Sequence, residues 1–195
     1  MKHILGSNSK STLSAVQEGD SQPNAVDLRL GKVFKIRPQT FIIDEQQKVH
    51  RGSAEVKVGE DGYYTLTEGH YEVVMQNIIT VGEGEAGWVI TRSTLNRNGV
   101  FLTSGLYDSG YNGVMAGVMH VSCGPIKIAP GTRIGQYLSF DAEALSSYDG
   151  SYGLGKEHDE KYVDQDIFAK PENEVVEVEE KPVKRKRGRP PKKKD

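Results

Sequence analysis

Five short segments carry the residue types from which a polar site can be built: Asn24-Ala-Val-Asp-Leu28, Arg92-Ser-Thr-Leu-Asn-Arg-Asn-Gly99, Gly105-Leu-Tyr-Asp-Ser-Gly-Tyr-Asn-Gly113, Pro130-Gly-Thr-Arg-Ile-Gly-Gln136 and Gly150-Ser-Tyr-Gly-Leu-Gly155. Asp27 and Asp108 are carboxylates, able to accept hydrogen bonds, to take a proton, or to face a hard cation. The guanidinium groups of Arg92 and Arg97 and the hydroxyl of Ser93 are donors suited to phosphate oxygens. Gln136 can hold such an oxygen or orient a water. The glycines let backbone approach a ligand closely. Taken singly, each segment has a plainer explanation: Asp27 caps a turn, Arg92 pairs at the surface, and Pro130-Gly131 makes a hairpin turn.

The elements that must position these residues are strands. From Ala25 to about Phe140 the chain is a series of short runs rich in Val, Ile, Thr, Tyr and Phe, such as AVDLRLGKVFKI, YEVVMQNIITV and GVMAGVMHV. Turn signals interrupt them about every eight to twelve residues, the spacing of a sandwich or barrel. An apolar period of about 3.6 residues is scarce, so at most one short helix is expected, near Thr94 to Asn98. The expected organisation is a polar, partly ordered lead-in over residues 1–23 and a β-barrel or jelly-roll-like domain over 24–140. A Tyr/Gly-rich arm over 141–170 and a charged tail over 171–195 follow. The tail has no aromatic residue and too few apolar ones to offset the entropy of ordering, so disorder is expected there.

Composition narrows the function classes. The chain has 195 residues, 36% hydrophobic and 27% charged, with 22 glycines and a formal net charge of −2. That total hides a sorting: residues 181–195 hold nine Lys/Arg and one acid, net +8, leaving 16 basic and 26 acidic side chains, net −10, in the other 180. The lone Cys123 excludes an internal disulfide, and one Cys with five scattered His gives no zinc-ligand spacing. No apolar run approaches the roughly 20 residues that span a bilayer, and no secretory h-region opens the chain. A soluble, cytoplasmic protein with no membrane partner is expected, and a compact chain with such a tail would suit a virus or phage.

Together and in this order, the five segments resemble the dUTPase and dCTP deaminase superfamily over about residues 22 to 155. The resemblance implies a dUTPase-like barrel or distorted jelly roll, a homotrimer whose sites draw motifs from neighbouring subunits, and Mg²⁺ as cofactor. It implies hydrolysis of deoxyuridine triphosphate to dUMP and pyrophosphate by water attack on the α-phosphate. On that resemblance Arg92, Ser93 and Arg97 hold phosphate oxygens, and Asp27 holds the metal through water. Asp108 contacts the sugar 3′-hydroxyl and activates the attacking water, with Gln136 holding a phosphate oxygen or that water. Tyr111 lies beneath the deoxyribose, the main chain around Gly113 reads the pyrimidine, and Tyr152 stacks on the base as a lid. The scheme requires Asp108 and Arg92 to share a cleft, within one subunit or across two.

The deaminase branch has a Glu ten residues after the third-motif Asp; here that position is Val118, which cannot transfer a proton. His120, two residues on, would lie about 7 Å away along a strand. The order of expectation is therefore a dUTP diphosphatase, then a dCTP deaminase, possibly bifunctional, then a non-catalytic nucleotide- or DNA-binding member. Asn112, where the family has an Arg, favours the last. The tail Lys184-Arg-Lys-Arg-Gly-Arg-Pro-Pro-Lys192 resembles an AT-hook. Pro190 fixes an extended backbone, Gly188 allows close approach, and Arg185, Arg187 and Arg189 suit the narrow minor groove of A·T-rich DNA.

Overall fold

The structure, a computed structural model, describes residues 1–162. Among them the strands are β1 (Thr12–Leu13), β2 (Val26–Ile36), β3 (Ile42–Ile43), β4 (Lys48–Val49), β5 (Ser53–Glu55), β6 (Tyr64–Leu66), β7 (Gly69–Thr80), β8 (Glu85–Thr91), β9 (Val100–Thr103), β10 (Asn112–Val121), β11 (Ile126–Ile128) and β12 (Arg133–Asp141). Two single helical turns, α1 (Ser93–Asn96) and α2 (Glu157–Glu160), complete the elements. The all-β expectation holds, and α1 falls where the short helix was expected. The turn α2 was not expected, because four polar residues carry no apolar period.

The main sheet runs β8-β12-β2-β7-β10-β9, entirely antiparallel, with β1 added to β7 and β5 to β2. Its two edges meet and nearly close a barrel. A bridge joins Gly87 to Tyr107. Further along, the Thr91 hydroxyl substitutes for a ladder: Oγ1 accepts from the Leu102 amide at 2.7 Å and donates to its carbonyl at 2.9 Å. Closure leaves few unpaired edge groups, which is how an antiparallel sheet of this size avoids edge-to-edge association.

Alternate positions of the long strands fill the interior. Leu28, Leu30, Val73, Met75, Met119 and Ile134 are all fully buried there. Close approach explains Gly87, where an added Cβ would lie 1.8 Å from Tyr137 Oη. Residues 1–23 pack on this barrel. Lys2 bridges to Ser139 of β12, and Glu85 at the start of β8 accepts from Lys2, Ser9, Lys10 and Ser11. No helix among the described residues is long and apolar enough to cross a membrane.

Candidate active site

Two clusters of candidate residues form, at opposite ends of β8. The first grows from adjacent strands β2, β12 and β8. Asp27 and Gln136 are cross-strand partners, and Gln136 Nε2 donates to Asp27 Oδ1 at 3.0 Å. Arg92, immediately after β8, reaches Asp27 Oδ2 at 3.4 Å, and Arg133 Nη1 reaches the same oxygen at 3.2 Å. Asp27 is fully buried, so this ligation is what compensates its charge; removing a cation would leave an unpaired buried carboxylate. Two guanidinium groups against one carboxylate leave net positive charge, with Arg92 and Arg133 partly exposed. Such a patch suits an anion with fork-like donors. Ser93 and Arg97 sit beside it, exposed on and just after α1.

Arg133 lies inside Pro130–Gln136, but its residue type alone does not point it at Asp27. In a regular strand, residues 133 and 136 point to opposite faces. A register shift between Arg133 and Gly135 inserts the extra residue that turns both toward Asp27.

The arrangement does not suit direct coordination of a metal ion by Asp27, whose expected contact with one runs through water. Gln136 takes one of its oxygens and the two arginines take the other. Among the described residues no group of three His, Cys, Asp or Glu side chains could hold one. Mg²⁺ prefers oxygen ligands and keeps its waters, so phosphate oxygens are its natural partners.

The second cluster is the turn between β9 and β10. Asp108 is exposed at its tip, and its carbonyl accepts from the Tyr111 amide at 3.0 Å. Gly110 takes φ +85°, a conformation that L side chains rarely adopt. Tyr111 Oη donates to the Val114 carbonyl at 2.8 Å, and its ring packs edge-on against Tyr107 and Tyr148. Burial raises the Tyr111 hydroxyl above its usual range, so it acts as a neutral donor. An added Cβ at Gly113 would lie 2.6 Å from Tyr111 Oη and 2.7 Å from Gly153 Cα. That glycine is therefore needed for packing, with the backbone of the arm against the hairpin.

The described part of the arm, up to Tyr162, folds back over this hairpin. Tyr148 N donates to Ser109 O at 2.8 Å, Leu154 N to Asn112 O at 2.9 Å, and Gly153 N to Asp159 Oδ2 at 2.7 Å. Between arm, hairpin and the β4–β5 loop lies a cavity of about 600 Å³, lined by Gly105, Tyr107, Tyr111, Val118, Tyr152 and Glu72 among others. His50, also on its wall, has its pKa lowered by burial and then by the nearby His158 and Lys48. Val118 lies directly across the ladder from Glu72 of β7. Glu72 accepts from Ser53 Oγ at 3.1 Å, from Lys161 Nζ at 3.2 Å and from Tyr162 Oη. Nothing in the local sequence signals this carboxylate, because it comes from a strand 46 residues upstream of Val118. His120, on the same face but outside the cavity lining, meets His70 and Thr103.

The structure thus joins Asp27, Arg92 and Gln136, and separately gathers Asp108, Tyr111, Gly113 and Tyr152. It does not join the two groups within one subunit. The Gly87–Tyr107 bridge puts Asp108 level with residue 86, six residues of β8 from Arg92, or about 20 Å at the usual strand rise. The expected shared cleft is absent from a single subunit. Arg185, Arg187, Gly188, Arg189 and Pro190 lie outside the described residues.

Residues 3–141 match the family described as dCTP deaminase-like. The chain is 32% identical over 141 residues to a probable deoxyuridine 5′-triphosphate nucleotidohydrolase of Halobacterium salinarum, covering 70% of this chain and 85% of that one. It is 31% identical over 153 residues to the deoxyuridine 5′-triphosphate nucleotidohydrolase of Methanocaldococcus jannaschii, covering 76% and 97%. It is 30% identical over 146 residues to a dUMP-forming dCTP deaminase of Persephonella marina, covering 72% and 79%. Among solved structures, the 2′-deoxycytidine 5′-triphosphate deaminase of Agrobacterium tumefaciens superposes with a TM-score of 0.54 at 18% identity, over 70% of this chain and 45% of that one. That likeness is one of fold.

Proposed function

The chain belongs to the dCTP deaminase-like family, and we propose that it is a dUTP diphosphatase whose active site is completed between subunits. The observation that carries this reading is the division of the site residues into two intact clusters. A cationic patch at Asp27, Arg92, Arg133 and Gln136 stands at one end of β8, and the exposed carboxylate of Asp108, with the cavity beside its hairpin, stands at the other. Cyclic association juxtaposes different surfaces of neighbouring copies, so each cluster can complete the other. Trp88 and Ile90 on β8, with Phe101 on β9, offer exposed apolar area between the clusters for such a contact.

The nucleoside occupies the cavity, its base meeting hairpin main chain and its sugar lying over the Tyr111 ring. The substrate is the magnesium complex of dUTP, whose roughly four negative charges the cation and the Arg92 and Arg133 side chains share. Ser93 and Arg97 add donors to the phosphate chain. Asp108 takes a proton from water as its oxygen bonds to the α-phosphorus. The bond from that phosphorus to the α,β-bridging oxygen breaks, and dUMP and pyrophosphate leave. Tyr152 and the rest of the arm exclude solvent.

Mixing subunits tests this. Asp108→Ala and Arg92→Ala should each abolish pyrophosphate release from dUTP. Refolded together at equal amounts, they should recover up to about one quarter of wild-type activity, the share of interfaces with both residues intact. No recovery, with each variant separately dead and folded, would count against an inter-subunit site.

One observation supports a second reading. Glu72 brings a carboxylate to the cavity opposite Val118, so acid/base chemistry on a cytosine amine has a candidate group. Ammonia release from dCTP, lost in Glu72→Gln, is its test. For the tail we propose minor-groove binding through Arg185, Arg187 and Arg189. Removal of residues 181–195 should then leave hydrolysis intact and end retention on A·T-rich DNA at low salt.

A further inference from the structure

His70 and His120 are cross-strand partners on β7 and β10, on the sheet face that also carries Glu72 and Val118. Their imidazoles approach through the same atom type: Nδ1 to Nδ1 is 2.9 Å, with ring centroids 5.0 Å apart. Thr103 on β9 lies against one ring. Its hydroxyl oxygen lies 3.4 Å from the Val118 carbonyl and 3.1 Å from His120 Nε2. In the tautomer with Nε2 protonated, the His120 Nδ1 lone pair faces His70. A neutral His70 can direct either a proton or its own Nδ1 lone pair into the same space.

We propose that His70 and His120 form a two-nitrogen chelate for a divalent transition metal, held in place by Thr103. Imidazole nitrogen is a preferred ligand of Cu²⁺, Ni²⁺ and Zn²⁺. With metal–nitrogen bonds of about 2.1 Å, two donors at a right angle lie about 3.0 Å apart, and two tetrahedral donors about 3.4 Å. The observed separation matches the right angle, which favours tetragonal or octahedral ions such as Cu²⁺ and Ni²⁺ over tetrahedral Zn²⁺, with water in the remaining positions. In that tautomer His120 Nε2–H donates to Thr103 Oγ1, the outer-shell hydrogen bond that a ligating histidine ordinarily makes. Because the ligands lie on adjacent strands, a bound ion staples β7 to β10, the strand whose main chain lines the cavity. The inference stands on these three side chains alone and is independent of the hydrolase reading.

The experiment is a titration of the full-length chain with Ni²⁺ below one equivalent, followed by the ring C–H resonances of the five histidines. The His70 and His120 signals should broaden together and before those of His3, His50 and His158. His120→Gln should remove the broadening at His70 and weaken Ni²⁺ binding at least about tenfold, since even outer-shell partners of a ligand are worth about 10–100-fold. Thr103→Val should weaken it by less. If another histidine broadens first, or His70 broadens unchanged in the His120→Gln protein, the chelate does not exist.

Discussion

Glu85 offers the most quantitative test of how the first 23 residues are held to the barrel. Its side chain is 1% exposed. Burial alone would raise its pKa. Hydrogen bonds from Ser11 Oγ at 2.5 Å, the Lys10 amide at 2.8 Å, Lys2 Nζ at 3.0 Å and Ser9 Oγ at 3.1 Å outweigh that, and hold it down to about 2 against an ordinary 4.5. Each pH unit of depression is worth about 1.4 kcal/mol, so the ionised form contributes about 3 kcal/mol of stability. The folded pKa lies below the unfolded one. The contribution is therefore complete above pH 4.5, falls as pH drops, and is gone below about 2. Glu85→Gln keeps the size of the side chain and removes the charge. Urea unfolding of both proteins at one protein concentration, from pH 7 down to pH 3, gives the difference between them. The variant should be less stable by about 3 kcal/mol at pH 7, with the gap narrowing by about 1.4 kcal/mol per pH unit below 4.5. Depressed carboxylates such as Asp20, Asp44 and Asp61 are common to both proteins and cancel. A gap that stays constant with pH would refute the account, because it would mean the loss is one of packing rather than charge.

Two further substitutions probe the closure and the site. Thr91→Val removes the hydroxyl that serves both the amide and the carbonyl of buried Leu102, and should cost about 1–3 kcal/mol in urea unfolding, with Thr91→Ser near wild type. Gly113→Ala puts a methyl against Tyr111 Oη and Gly153 Cα. It should destabilise by about 1–3 kcal/mol, speed proteolysis between residues 145 and 162, and raise KM for dUTP.

Much of this protein was legible in the sequence because the relevant forces are local. Period-two apolar runs broken by glycine turns specify an all-β chain whatever the topology, and α1 follows from a single polar turn between β8 and β9. The carboxylate Asp27, the guanidinium of Arg92 and the amide of Gln136 could be named from short motifs, since each motif keeps its residue types within a few positions. What those motifs concealed is direction. Arg133 and Gln136 face the same carboxylate only because a bulge adds one residue to β12. The meeting of two arginines at Asp27 is likewise a matter of register and not of any one motif.

Sequence by itself determined the element types, the sorting of charge along the chain and the roster of polar groups, because side-chain period and turn chemistry act over a few residues. Tertiary structure alone decided which groups meet. Antiparallel pairing sets residues far apart in the chain side by side, as with Glu72 and Val118 or His70 and His120. It also sends Asp108 and Arg92 to opposite ends of one strand. Register fixes both outcomes, and a shift of one residue, which no local pattern announces, would reverse them.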